Sequence, residues 1–129
     1  MSYLDENDQN LTGLNLNHNY FRDEQVLKII DKLMETKNRT LTKLKLGRNG
    51  LTDNVVFALK EMYDPINRVE PRIEVLDLSW NKIYMNGGVA IADILKKDPP
   101  LRVLDLSYNC LSRAPPKAKK NENDMYILK

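Results

Sequence analysis

Ile73-Glu74-Val75-Leu76-Asp77-Leu78-Ser79-Trp80-Asn81 and Leu101-Arg102-Val103-Leu104-Asp105-Leu106-Ser107-Tyr108-Asn109 are one pattern written twice. The first, fourth and sixth places are apolar and the ninth is asparagine. The same skeleton runs through Leu11, Leu14, Leu16 and Asn19, and through Leu41, Leu44, Leu46 and Asn49. Two residues after each asparagine stands another apolar side chain: Phe21, Leu51, Ile83 and Leu111. The copies begin at 11, 41, 73 and 101, so successive starts are 30, 32 and 28 residues apart. Self-similarity at such a period marks a stacked-repeat architecture, in which no single unit can bury its apolar face and about three are needed for stability. A stack of this kind presents a surface, so function is sought along that surface.

Inside the motif the fourth and sixth positions are two residues apart, so both side chains leave a strand on the same face, toward the core. Beyond the asparagine the period changes to a helical one. Val26, Ile29, Ile30 and Leu33 follow Asp23 in the first repeat; Val55, Val56, Leu59, Met62 and Tyr63 follow Thr52 or Asp53, either of which suits an N-cap, in the second. In the third repeat Val89, Ile91, Ala92 and Leu95 follow Gly87 and Gly88, read as a turn or helix-start feature. Each unit therefore reads strand, turn, helix, and stacking gives a parallel sheet on one side with a row of helices on the other. The asparagines stand where the strand turns and buried backbone groups need partners; an amide both donates and accepts, so Asn19, Asn49, Asn81 and Asn109 are expected to form a structural ladder.

The motif resembles the leucine-rich repeat family, and its long periods with helical return segments look like the ribonuclease-inhibitor-type subfamily. The resemblance covers roughly residues 11–113. It implies an α/β leucine-rich-repeat solenoid with a parallel sheet on the concave side and helices on the convex side. It also implies a non-catalytic, mostly intracellular module that binds macromolecules through the concave sheet, without naming the partner. Residues 1–10 form a polar N-terminal segment. The repeats divide as 11–40, 41–72, 73–100 and 101–113 onward. Residues 114–129 form a Pro/Lys-rich linker and a C-terminal capping strand. In the fourth repeat Pro115 and Pro116 lack the donor a regular helix needs, and Met125-Tyr126-Ile127-Leu128 is expected to be a truncated fifth strand covering the last sheet edge. At the other end only Tyr3 and Leu4 are available to cover the first strand, which leaves an edge open to pairing with another chain.

Composition narrows the function. With 129 residues the repeats fill one domain, and 20 basic against 18 acidic residues, net +2, give no case for a polyelectrolyte partner. The single cysteine, Cys110, excludes an internal disulfide. The N-terminus, with Asp5, Glu6 and Asp8, lacks the basic and apolar regions of a signal peptide. No apolar run reaches the roughly 18 residues that span a bilayer. The expected location is intracellular, in a reducing compartment, the cytoplasm by preference. The sequons at Asn10 and Asn38 are then coincidental.

Residues between the core positions face the concave side. The strand-centre column is Asn15, Lys45, Asp77, Asp105; the column nearer each strand's start is Gly13, Lys43, Val75, Val103; just before each asparagine come His18, Arg48, Trp80 and Tyr108. Strands about 4.8 Å apart would set the last four in one continuous row. Trp, Tyr and Arg carry most interface binding energy. Trp80, Tyr108 and Arg48 are therefore the expected partner contacts, with His18 at the end of the row and Lys43, Lys45, Asp77 and Asp105 setting the charge. The competing reading of Trp80 is packing on Tyr108. Lys45 and Asp77 are candidates for a cross-strand pair, whereas Asp77 and Asp105 are like charges side by side.

Other classes are weaker. His18 lies about 10 Å from Asp77, two strands away, too far for acid–base work. Cys110 has no histidine nearby to activate it. Asp77 and Asp105 lack a third metal ligand. No catalytic residue, metal or cofactor is expected. Arg113, Lys117, Lys119 and Lys120 form a basic stretch, but Glu122 and Asp124 dilute it, so nucleic acid is not the favoured partner. A sheet face of roughly 300 Å² is small against the about 800 Å² per partner of a stable interface. That keeps alive an alternative: a small structural subunit of a larger cytoskeletal or ribonucleoprotein assembly, using its edges and termini, with RNA contact from the tail.

Overall fold

The computed structural model describes residues 11–116 and the backbone of Lys119–Lys120 and Tyr126–Ile127. Strands β1 (Gly13–Asn15), β2 (Lys43–Lys45), β3 (Val75–Asp77) and β4 (Val103–Asp105) alternate with helices α1 (Asp23–Glu35), α2 (Asp53–Tyr63) and α3 (Met85–Leu95), and a 3-10 turn, Pro65–Asn67, follows α2. The strands form one parallel sheet in the order β1-β2-β3-β4. Register is strict: Leu14, Leu44, Leu76 and Leu104 form one row, flanked by the rows Gly13, Lys43, Val75, Val103 and Asn15, Lys45, Asp77, Asp105. Because side chains alternate along a strand, the leucine row points into the core and its two flanking rows point away. This is the leucine-rich-repeat architecture expected from the motif.

The core lies between sheet and helices and is fullest in the middle, where Leu44, Leu46, Leu51, Leu59 and Ile83 are completely buried. The first two helices bury the residues expected, Val26, Ile29, Ile30 and Leu33 on α1, and Val55, Val56, Leu59, Met62 and Tyr63 on α2. Thr52 is the N-cap of α2, accepting from the Asn54 N–H at 3.3 Å, while Asp53 is the first helical residue. Asp53 has a different job: its carboxylate accepts the Tyr84 N–H at 2.7 Å, and Asp23 likewise accepts both the backbone N–H and the hydroxyl of Thr52. The residue that opens one helix thus anchors the start of the next.

The third helix corrects the sequence reading. Its start lies at Met85, so Gly87 and Gly88 are inside it, and it buries Gly87, Ala90, Ile91 and Ile94, while Val89 and Leu95 are exposed. Ala92 is exposed as well. Two apolar stripes share this helix, and packing against α2 selects the one containing glycine. The reason is steric: a Cβ on Gly87 would lie 2.5 Å from the Asp53 carboxylate and 2.6 Å from Ile83.

In the fourth repeat no helix follows β4 through residue 116, as the prolines require. The Arg113 carbonyl instead receives the Met85 N–H at 2.8 Å. The C-terminal strand has a different partner from the one expected. β5 (Lys119–Lys120) and β6 (Tyr126–Ile127) pair antiparallel in a two-stranded sheet of their own, not with β4. A short local reversal closes at low entropic cost, whereas a parallel addition to β4 would need a crossover connection. Met125 and Leu128, like Tyr3 and Leu4 at the other end, lie outside the described residues.

Candidate interaction surface

Each strand ends in the same turn. His18, Arg48, Trp80 and Tyr108 all adopt left-handed backbone, with φ of 58°, 57°, 55° and 58°. That conformation is uncommon for bulky residues, and the stack holds it with bonds between repeats: His18 N–H to Gly47 O (2.9 Å), Arg48 N–H to Ser79 O (3.0 Å) and Trp80 N–H to Ser107 O (2.9 Å). Beneath lies the asparagine ladder. Asn81 accepts the N–H groups of Asn49 and Leu51 and donates to the carbonyls of Leu46, Leu78 and Ser79. Asn49 accepts from Asn19 and Phe21 and donates to Leu16, Leu46 and Gly47. With Asn109, which accepts from Ile83 and donates to Leu78, each of these amides closes the turn of the repeat before it.

This scaffold presents three of the four expected side chains as one stack. The Trp80 and Tyr108 rings lie 3.9 Å apart between centroids at 16°, and the Arg48 guanidinium carbon sits 4.5 Å from the Trp80 ring centre. Trp80 is 44% exposed and Tyr108 67%. Packing and exposure coexist here: each ring supports its neighbour and still offers area to solvent. His18 does not continue the row. Its Nε2 lies 3.1 Å from the Tyr20 hydroxyl, with the rings 5.2 Å apart and tilted by 60°. Sequence reasoning missed Tyr20, which is 78% exposed and has φ of 56°. The available signal was its place just after the asparagine, where the other repeats carry Gly50, Lys82 and Cys110.

The strand-centre column does turn work. Asn15, Asp77 and Asp105 each accept the backbone N–H two residues on, from Asn17 (3.0 Å), Ser79 (2.9 Å) and Ser107 (3.0 Å). The Ser107 hydroxyl also bonds Asp105, and these two bonds hold its carboxyl below the usual carboxylate range. Lys45 has no acceptor for this purpose. In its repeat the Gly47 N–H goes to the Asn17 side chain of the previous repeat at 2.7 Å, and Asn17 passes over Gly47 to donate to Asp77 at 3.2 Å. A Cβ on Gly47 would come within 3.0 Å of the Ser79 hydroxyl and 3.2 Å of Asn17. Among the described residues no Lys45–Asp77 ion pair forms, although the two are in register. Lys43 is exposed between Gly13 and Val75, and Lys45 is half-buried.

Two further placements bear on alternatives. Among the described residues no group of three His, Cys, Asp or Glu could hold a metal ion, and no helix is long and apolar enough to cross a membrane. Asn38 is buried and its side-chain oxygen accepts from Thr40 and Leu41, so its amide is tied into the α1–β2 turn.

Comparison with known families agrees with the geometry. Residues 37–59 and 73–92 match one family profile described as Leucine Rich repeat, and residues 100–120 match another described as Leucine Rich Repeat. Curated proteins gave no match. Leucine-rich repeats generally mediate protein–protein interaction and are typically non-enzymatic. With four registered strands, a shared asparagine ladder and both profile matches in place, the chain is a leucine-rich-repeat solenoid.

Proposed function

We propose that this chain is a non-catalytic protein-interaction module or scaffold of the intracellular, ribonuclease-inhibitor-like kind, acting in the cytoplasm and recognising its partner with the concave face. The observation that carries this reading is the exposed Arg48–Trp80–Tyr108 stack. Its side chains are the types that dominate interface energetics, and mutual stacking orders them before a partner arrives, which lowers the entropic cost of binding. Lys43 and Lys45 supply positive charge beside the stack, Asp77 and Asp105 negative charge across β3 and β4, and His18 with Tyr20 bounds the far end.

The test is capture from native lysate by the wild-type chain and by a Trp80→Ala/Tyr108→Ala variant whose circular dichroism matches it, followed by affinity measurement with the purified, identified partner. Loss of a hot-spot pair should weaken binding about 30-fold or more. Equal affinity of both chains would remove the stack from the interface and leave Trp80 and Tyr108 as packing residues.

A second reading, as a subunit of a larger assembly, draws support from the end repeats. Leu101, Leu104, Leu106 and Leu111 are only partly buried, and Met85, Val89 and Val103 are exposed beside them. An assembly partner seated there should protect the backbone amides of β4 from hydrogen exchange, and one on the concave stack should not.

A further inference from the structure

On the rim opposite the stack, where helices hand back to strands, the connections after α2 and α3 border an open pocket of about 420 Å³. That volume lies within the range of small-ligand sites. Its lining includes Tyr63, Pro71, Arg72, Lys97, Pro99 and Pro100. Tyr63, the last residue of α2, is 7% exposed, and its hydroxyl is closed off from solvent with no hydrogen-bond partner among the described residues. Buried hydroxyls are nearly always paired, and an orphan one calls for a cause. Burial also pushes the phenol above its ordinary range, so the oxygen keeps its proton and remains a donor.

The neighbouring charges narrow what that donor would meet. Arg72 and Lys97 have no ion-pair partner among the described residues. Of the two acids in the lining, Glu70 is held 3.5 Å from Arg39, while Asp98 has no cation within ion-pair distance among those residues. Two free cations favour an anion, and the remaining Asp98 charge penalises a dianion more than a monoanion. The proline rings offer flat apolar walls to the body that carries the charge.

We propose that this pocket is a binding site for a carboxylate-bearing ligand, with Tyr63 donating its phenolic proton and Arg72 and Lys97 supplying countercharge. The carboxylate belongs to a free organic acid or to an acidic side chain of a bound protein. The hydroxyl is closed off in this structure, so an acceptor in the pocket meets it only if the pocket wall moves. The site is separate from the concave stack and does not depend on the function proposed for it.

The test is a backbone-amide NMR titration of the full chain with sodium benzoate, benzamide, inorganic phosphate and N-acetyl-glutamic acid amide. Benzoate should give saturable shifts at Tyr63, Arg72 and Lys97, and benzamide of the same shape should bind much more weakly. Tyr63→Phe keeps the ring and the fold and should weaken benzoate roughly tenfold or more, as loss of a hydrogen bond to a charged group does. Arg72→Gln and Lys97→Gln should weaken it too, whereas Trp80→Ala should not. Tighter binding of N-acetyl-glutamic acid amide than of benzoate assigns the carboxylate to a partner side chain, and the reverse order to a free acid; both support the site. The proposal is overturned if neither carboxylate saturates, if benzamide binds as well as benzoate, if phosphate binds more tightly than both, or if Tyr63→Phe changes nothing.

Discussion

Repeats two and three carry the same motif as repeats one and four, yet the molecule uses them differently. Asn49 and Asn81 are buried at 3% and 7% exposure, while Asn19 is exposed and Asn109 half-buried. Leu44 and Leu76 are buried at 0% and 2%, whereas Leu14 and Leu104 are only partly covered. Solenoid packing runs mainly between neighbours, and among the described residues repeats two and three have a repeat on each side while repeats one and four have one. Place in the stack, not the motif, sets how much each residue contributes.

The sharpest way to break that contrast is to truncate the same leucine at two places. Leu44→Ala should cost about 3–5 kcal/mol, and Leu104→Ala about 1–2 kcal/mol, because a half-exposed site can relax and rehydrate. Urea unfolding of the two variants checks this, and equal losses would show that the end repeat is as well packed as the middle. Next comes the ladder. Asn81→Ala strands two buried N–H groups, those of Asn49 and Leu51, and should cost about 2–4 kcal/mol; Asn19→Ala removes one exposed bond to Asn17 and should cost under about 0.5 kcal/mol.

Glycine sharpens the comparison further. Gly87→Ala forces Asp53 or Ile83 aside and should cost about 1–3 kcal/mol. Gly88→Ala faces only Leu111 of the last repeat at 3.6 Å, ordinary contact, and should be neutral or slightly stabilising through helix propensity. Thermal melts of the pair distinguish the inner from the outer face of α3. The smallest effect is acidic. Asp105 has a lowered carboxyl pKa, so its contribution is present above the unfolded value and fades as pH falls through the folded one. Asp105→Asn should flatten that part of the stability profile without changing the neutral-pH structure of the turn, as chemical shifts of Ser107 would show.

Much of this was legible in the residues. A period of two fixes which strand positions face inward, so all three columns of the sheet followed from the motif, as did the ladder. The helical faces of α1 and α2 followed because each has one apolar stripe. On α3 the stripes through Val89 and through Ala90, Ile91 and Ile94 compete. Choosing between them requires knowing that Asp53, over thirty residues earlier, occupies the space beside Gly87. The candidate surface was half legible. Its composition could be read from the chain, but His18 turning to Tyr20 depends on side-chain packing at the end of the row. The Asn17–Asp77 bond spans 60 residues and skips a repeat. Its trace in the sequence is that Lys45 alone in its column lacks an oxygen to accept the next turn's N–H.

The linkage of each helix start to the following repeat, Asp23 to Thr52 and Asp53 to Tyr84, makes these units nearly interchangeable as genetic modules. If residues 41–72 were copied in tandem, Asp53 of the first copy would meet Thr52 of the second as Asp23 meets it now, and Asn49 would again close the turn before it. The bonds around Asn17 would fail to copy, since Asn17 would face Lys45 of the second copy where Asp77 stands now. The Gly47 N–H of the second copy would face glycine where Asn17 stands at present. Lengthening this chain by duplication therefore comes with a built-in repair site: an aspartate at the second copy's position 45, accepting the N–H two residues on and the Asn17 amide as Asp77 does now, would complete the new junction.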